Sequence, residues 1–317
     1  MKIAILCVFE NTPAEGKRED DLVYNVDYEI SQELKKLGHE VKFFNYDSKP
    51  QTMKEYDLVL NLCDALEDSV EEARPILALE KEGLTVTGCP SEAILNCSDK
   101  EKSKIIFEVN KISTPRYWIF KETNEKPETN VSFPVILKPA TQDGSIGIED
   151  DCVVKDEEAL NKKLKELLPL YKKIIAEEFI DGREFCVPIM GNGHPKVINV
   201  LEVDFSDTFG VRPNILSYKA KWRKNSHAYR DTKTAVAKIN DEEKEKIASL
   251  AIRSFHVLGC QGYASVDIRS NGKEYYVIDV NPNCYLGKES EIVKAVNLTG
   301  LDYSAFLQKI LEFAVKK

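Results

Sequence analysis

The chain is poor in the features that would mark several common protein classes. No apolar run approaches the roughly 20 residues that a membrane-crossing helix needs, and the opening apolar stretch is too short for a secretory core and lacks a small-residue cleavage site. It reads as a first strand, and the chain is expected to be cytoplasmic. The eight cysteines (Cys7, Cys63, Cys89, Cys97, Cys152, Cys186, Cys260, Cys284) include no close pair resembling a zinc knuckle or a redox motif. They read as small buried hydrophobes, with Cys284 set apart by its place beside the strand discussed below. The first strand-to-helix turn has no Gly-x-Gly-x-x-Gly, which removes the main support for a nicotinamide-binding domain. No repeat or low-complexity tract occurs. Basic residues fall short of acidic ones, for a net charge of −9. That argues against a general affinity for nucleic acid or anionic membrane but leaves room for a local basic pocket.

What is present is a soluble, globular composition, 43% hydrophobic and 31% charged over 317 residues, enough for two or three domains. Strands at 2–8, 40–45, 58–61 and 85–87 alternate with helices at 24–37 and near 69–82, which predicts an open parallel sheet with ligands beyond its strand ends. Phe9, Glu10 and 61–68 are therefore candidates, although the acidic 63–68 stretch reads equally as a solvated loop with a helix cap. Further helices are expected at 98–111, 156–170, 241–258 and 302–316. His256 reads as a packed side chain, and His227 lies in a polar loop, 223–232, with no apolar periodicity.

The residues 275–283 form an apolar strand ending in Asp279-Val280-Asn281, and a second strand, 264–269, carries Asp267. Side chains alternate across a strand, so Asp279 and Asn281 share a face while Ile278 and Val280 are expected to enter a core. Three oxygen donors, Asp267, Asp279 and Asn281, are a set that Mg2+ takes when it keeps other positions for water and phosphate; turn capping is the competing reading. An Asn271-Gly272 two-residue turn would put the aspartates on opposite faces. The metal reading instead requires Asp267 opposite Asp279, Ile268 opposite Ile278 and Ser270 opposite Tyr276, with 271–275 as the loop.

Lys138 ends another apolar strand, where an unpaired ammonium is expensive to desolvate. The loop Gly144-Ser145-Ile146-Gly147 follows. Together they suit a polyphosphate held by an ammonium and backbone amides, against the alternative of a plain hairpin turn. Glu177 and Glu184 flank the Asp181-Gly182 turn, where they either are solvated or accept from an adenine amino group and ribose hydroxyls.

In this order Lys100, Lys138, the Gly144 to Gly147 loop, Glu177, Glu184, Asp267 and Asp279-x-Asn281 resemble the ATP-grasp superfamily, in its D-alanine–D-alanine ligase-like branch. The resemblance is strong over 87–283 and weaker before it. It implies an α/β fold with an α+β lid: an N-terminal open parallel-sheet domain at 1–96, a central lid at 97–182 and a metal-bearing domain at 183–317. It further implies that Lys100 and Lys138 contact ATP phosphates under the Gly144, Ser145 and Gly147 flap. Glu177 would accept from adenine, Ile180 would lie against the base, and Glu184 would hold the ribose. Lys221 would reach a phosphate beside a mobile loop at 223–232.

Three departures concern the other substrates. Ser265 stands where the family carries an oxyanion-stabilising arginine, and a serine offers one neutral donor. The segment 282–286 replaces a glycine-containing acceptor segment. Residues 63–69 replace the family's N-terminal motifs. The expected function is an ATP-dependent carboxylate–amine ligase acting on amino acids or small peptides through an acyl phosphate. D-alanine–D-alanine ligase itself and an ATP-binding protein without ligation are the alternatives. The expected cofactors are ATP and Mg2+, with Mn2+ as a substitute. Partners are small molecules without nucleic acid or membrane, and a homodimer is the assembly to test.

Overall fold

A computed structural model describes residues 1–9, 25–63, 68–123, 130–205, 213–223 and 225–316. Glu10 and 64–67, named above as candidates, lie outside them, as does Lys224 of the expected loop.

The first unit is a three-stranded parallel sheet. Strand β1 (Lys2–Cys7) runs between β2 (Glu40–Asn45) and β3 (Leu58–Asn61), and helix α1 (Asn25–Lys36) crosses from β1 to β2. The crossover ends at Gly38, whose φ of 84° closes the helix: the Gly38 amide donates to the Lys35 carbonyl and the His39 amide to the Leu34 carbonyl. Alternation along β1 divides the interior. Ile3 and Ile5 pack with Ile30, Leu34 and Phe306, while Ala4 and Leu6 pack with Ile76, Phe255 and Val266. Residues 85–87 contribute only a bridge between Val59 and Val86. Helices α2 (Ala73–Lys81), preceded by a 3-10 turn at Ser69–Glu72, α3 (Ser91–Ser98) and α4 (Lys100–Val109) follow. The helix α3 had no signal in the reading above, because its eight residues are too few for a clear period.

Next comes a four-stranded antiparallel sheet in the order β4 (Tyr117–Phe120), β7 (Ile174–Glu178), β5 (Val135–Pro139), β6 (Val153–Val154). Helix α5 (Glu157–Leu167), capped by Asp156, lays Leu160, Leu164 and Leu167 on it. These side chains with Trp118, Leu137 and Ala176 make a core of their own. Phe107 of α4 and Ile112 belong instead to the core shared with the first sheet.

The last unit centres on β8 (Arg183–Met190), flanked by β9 (Lys196–Val197) and β10 (Leu201–Asp204) and joined to β12 (Tyr263–Ser270) and β13 (Tyr275–Asn281). Short helices α6 (Tyr218–Trp222) and α7 (His227–Asp231) lead to the edge strand β11 (Lys233–Val236). One face of this sheet carries Phe185, Val187, Ala264, Val266, Ile268, Val277 and Val280, buried against α8 (Asp241–Val257). The opposite face is polar and belongs to the site. Helices α9 (Glu291–Asn297) and α10 (Tyr303–Val315) close the fold beside β3.

Register on β12 and β13 decides the chemistry. Asp267 stands opposite Asp279 and Ser265 opposite Asn281, as the metal reading requires. Below Asp267 the pairing shifts: Ile268 faces Val277 and Ser270 faces Tyr275, with Ile278 as the extra residue of a β-bulge. The expected pairs Ile268 with Ile278 and Ser270 with Tyr276 are therefore corrected, and the loop is 271–274. Ile278 does not enter the core beside Val280. The bulge reverses the parity of β13, so Val277 and Val280 are both buried and Ile278 lines the site cleft.

Candidate active site

A cleft opens between the four-stranded antiparallel sheet and the polar face of β8, β12 and β13. Its walls include Lys100, Lys138, Asp143, Ser145, Glu177, Ile180, Glu184, Lys221, Asp267 and Asp279. Sequence-distant residues are thus brought together, while Gly144 and Gly147 frame Ser145 in the flap, and Ser265 and Asn281 continue the same sheet face beyond Asp267.

Lys100 owes its place to the start of α4. Asp99 caps the helix by accepting from Glu101 and Lys102 amides, and the Lys100 amide donates to the Ala140 carbonyl at 2.9 Å, just past the end of β5. Its ammonium donates to the Gln142 carbonyl at 2.7 Å and stands 3.4 Å from Asp279. Burial opposes the charge, but Asp279, Asp143 and Glu177 outweigh it and hold the Lys100 pKa above its usual value. One helical turn later, Lys104 is almost fully buried. It donates to Thr114 Oγ1 at 2.6 Å and to the Val277 carbonyl at 3.4 Å, and it faces Glu177 at 3.3 Å. Burial lowers its pKa despite the pull of Glu177.

Glu177 is 1% exposed and serves two lysines. Lys138 donates to its Oε2 at 2.9 Å, whereas Lys104 approaches Oε1 without hydrogen-bond alignment. Burial alone would raise the Glu177 pKa, yet Lys104 and Lys138 win and bring it down to about 2. Oε1 is a buried acceptor with no hydrogen-bond donor among the described residues, 3.3 Å from the Lys104 ammonium.

At the other carboxylate, Glu184 pairs with Arg269 at 3.1 Å, a residue that the sequence reading passed over. Gly182 makes this corner feasible: its φ is 144°, and a Cβ there would stand 2.2 Å from the Ser270 carbonyl oxygen. Phe179 and Ile180 line the same end.

The flap is tied to the segment before and through α6. Ser145 Oγ donates to the Leu216 carbonyl at 2.7 Å, Trp222 Nε1 donates to the Gly144 carbonyl at 2.7 Å, and Lys219 meets Glu149 at 3.3 Å. Ser145 itself adopts φ 62°, and Gly147 is pinned by Pro139, 2.7 Å from where a Cβ would sit. The 223–232 stretch is not wholly loop, since Ser226 caps a turn of helix at His227–Asp231, where His227 contacts Arg230 at 3.2 Å. Lys221 leaves α6 toward the cleft. Burial works against its ammonium, but Asp143 and Asp267 keep its pKa raised.

Asp267 and Asp279 are cross-strand neighbours on one face. Burial first, then the charge of Glu184, push the Asp267 pKa up to about 8 against the pull of Lys221. Among the described residues no group of three or more His, Cys, Asp or Glu forms a metal cage. The donor set is two carboxylates and the Asn281 amide, whose oxygen already accepts from the Asn283 amide at 2.9 Å. Hard oxygen donors with mutually repelling charges, open to a cleft rich in lysines, fit a magnesium ion that keeps water and phosphate ligands.

Beyond the carboxylates, Ser265 Oγ lies 3.2 Å from Cys186 Sγ. Asn283 Nδ2 donates to the Cys63 carbonyl at 2.7 Å, so the segment after β13 is bonded to the end of the first sheet. Cys284 is buried there and accordingly carries a raised pKa. Lys104, Asp143 and Arg269 are among the polar residues missed, as are Gln142 and Glu178 of the cleft wall. Lys104 had a usable signal, the four-residue spacing from Lys100, but Arg269 needed the fold.

Residues 106–312 match the family model for the D-ala D-ala ligase C-terminus. The D-alanine--D-alanine ligase of Pseudothermotoga lettingae is 26% identical over 321 residues, spanning 100% of each chain. That of Pelagibacter ubique is 28% identical over 90% of this chain and 91% of its own. Among solved structures, a D-alanine--D-alanine ligase from Bacillus anthracis complexed with ATP superposes with a TM-score of 0.77 at 20% identity, covering 100% of this chain and 98% of the other. The VanG D-Ala:D-Ser ligase from Enterococcus faecalis gives 0.72 at 19% identity over 99% of both chains.

Proposed function

This chain belongs to the D-Ala–D-Ala ligase family, and from that premise we propose how its cleft serves an ATP-dependent ligase that forms a C–N bond between amino acids or small peptides. The observation that carries the reading is the convergence of Lys100, Lys138 and Lys221 with Asp267 and Asp279 on one cleft under a glycine flap.

Phosphoryl transfer asks the protein mainly for positioning and charge neutralisation. Lys100 and Lys138 neutralise the phosphate chain, and the flap from Gly144 to Gly147 covers it. Ile180 lies against the base, whose amino group donates to Glu177 Oε1, and Glu184 holds the ribose. Asp267, Asp279 and Asn281 would hold Mg2+, which would supply positive charge to offset that of the phosphates. A carboxylate oxygen of the first substrate attacks the γ-phosphorus and ADP leaves, giving an acyl phosphate. The neutral amine of the second substrate then adds to the acyl carbon, the C–O bond to phosphate breaks, and the departing phosphate leaves with the amine proton, giving the amide. Water must be kept out while the anhydride exists, a task for the flap and the Trp222 bond to it.

The collapsing tetrahedral oxyanion needs a cation or donors. Ser265 supplies one neutral hydroxyl, and Lys221 supplies the charge. Ser265 and the 282–286 segment depart from the family's pattern at the positions that follow the metal-site strands, and on that ground the second substrate is taken to be an amino acid other than D-alanine. A coupled ADP-release screen over pairs of L- and D-amino acids and dipeptides tests this. Amine-dependent ADP release is expected for a restricted set; nucleotide binding with no release for any pair would leave the non-ligating alternative.

A further inference from the structure

The cleft contains one buried cation that the phosphate chemistry above does not use. Arg269 follows Asp267 by two residues on β12, so the two side chains stand on the same sheet face, roughly 6.6 Å apart along the strand. It is 5% exposed and lines the cleft. Its Nη1 is 3.1 Å from Glu184 Oε2, its Nη2 donates to the Gly182 carbonyl at 3.2 Å, and its guanidinium carbon lies 5.1 Å from the centre of the Phe179 ring. These contacts fix the guanidinium plane. Nε nevertheless has no hydrogen-bond partner among the described residues, although the atom is fully buried.

An arginine cannot shed that proton at any physiological pH, so an unmet Nε donor stays unmet until an acceptor arrives. Native interiors seldom leave such a group alone, and since the atom has no open surface, a ligand acceptor reaches it when the side chains that cover it shift as the cleft fills. The position narrows the choice of partner. Arg269 is one two-residue step from Asp267, on the side of Phe179 and Ile180, between the charge-bearing end of the cleft and its apolar end.

We propose that Arg269 reads the sugar of a ribonucleoside triphosphate, its Nε–H donating to a sugar oxygen while Nη1 holds Glu184 in position to accept from a hydroxyl. The proposal rests on the ATP reading above. It makes Arg269 a binding residue and, through Glu184, a positioning residue, and it predicts discrimination between ribose and deoxyribose that a purely structural arginine would not influence.

The test is calorimetric titration of the full chain with Mg2+ and ATP, 2′-deoxy-ATP or 3′-deoxy-ATP. The unmodified protein is expected to bind ATP about 10-fold or more tighter than at least one deoxynucleotide, the size of one or two hydrogen bonds. Arg269→Met is expected to weaken ATP and leave the deoxynucleotides nearly unchanged, so that the preference collapses. Arg269→Lys, which retains charge beside Glu184 but not the fork, should also lose most of it. If Arg269→Met does not fold, Arg269→Lys, which leaves Glu184 intact with a counter-charge beside it, carries the test alone. Equal weakening of all three nucleotides, or a preference that survives these substitutions, overturns the inference while leaving the ATP reading intact. No binding of ATP by the unmodified protein overturns both.

Discussion

Lys138 and Glu177 are bonded at 2.9 Å although neither is the other's direct partner across the sheet: Lys138 faces Ile175, and Glu177 faces Ile136. The bond is diagonal, between side chains on the same face of adjacent strands. It leaves Glu177 Oε1 to Lys104, which makes one carboxylate the counter-charge for two elements, the lid strand β5 and the helix α4.

Removing one member of this group should be costly. Lys104→Met is expected to destabilise the chain by on the order of 3 kcal/mol, the usual cost of breaking a buried pair, because Lys104 also bonds Thr114 and Val277. Urea unfolding measures it. A loss below about 1 kcal/mol would show that Lys138 alone satisfies Glu177.

The same carboxylate sets an acid limit. The Glu177 pKa is depressed in the fold, to about 2 from 4.5. Its contribution is therefore fully present above 4.5 and is lost as pH falls from there toward 2. Glu177→Gln should flatten the dependence of the melting temperature on pH in that window, and an unchanged slope would point to other carboxylates.

Lys221 and Ser265 should divide the ligation step unequally. Lys221→Met is expected to lower kcat by about 100-fold or more, the scale of a lost oxyanion donor, whereas Ser265→Ala should cost under about 10-fold. Steady-state kinetics with the best substrate pair from the screen decide between them, and the reverse ranking would sink the assignment of the cation.

Lid closure should be visible in hydrogen exchange. Amides of 143–148 and of the described residues in 216–232 are expected to slow when ATP and Mg2+ bind, and Trp222→Phe should weaken that protection by removing the bond to the Gly144 carbonyl. Equal exchange with and without nucleotide would remove the lid from the mechanism.

D-alanine is expected to be a poor substrate. Turnover of D-alanine with ATP at roughly 1 per second or faster would show that Ser265 and the 282–286 segment do not exclude it.

Much of this was legible in the sequence because strands advertise themselves by alternation and charged residues at strand ends are rare without purpose. Asp279 and Asn281 could be placed on one face from spacing alone, and the requirement that Asp267 face Asp279 ruled out a tight Asn271-Gly272 turn. The bulge at Ile278 could not be read, since one extra residue in a strand leaves no compositional trace and shows only when both registers are known. Arg269 was hidden for a related reason: its partner Glu184 is 85 residues away in sequence, and an arginine near the end of a strand otherwise reads as a solvated side chain.

The 3.4 Å contact between Lys100 and Asp279 carries a thermodynamic consequence. In the proposed roles, a phosphate would draw Lys100 away from Asp279, and a metal on Asp279 would displace Lys100. Each residue is the other's placeholder. An anion that takes Lys100 strips Asp279 of its counter-charge and so raises the affinity of the carboxylate for a divalent cation. By linkage, the cation must raise the affinity for the anion by the same factor. Without either ligand the two residues face each other at 3.4 Å; with both, they would exchange partners, and binding of nucleotide and metal would be cooperative.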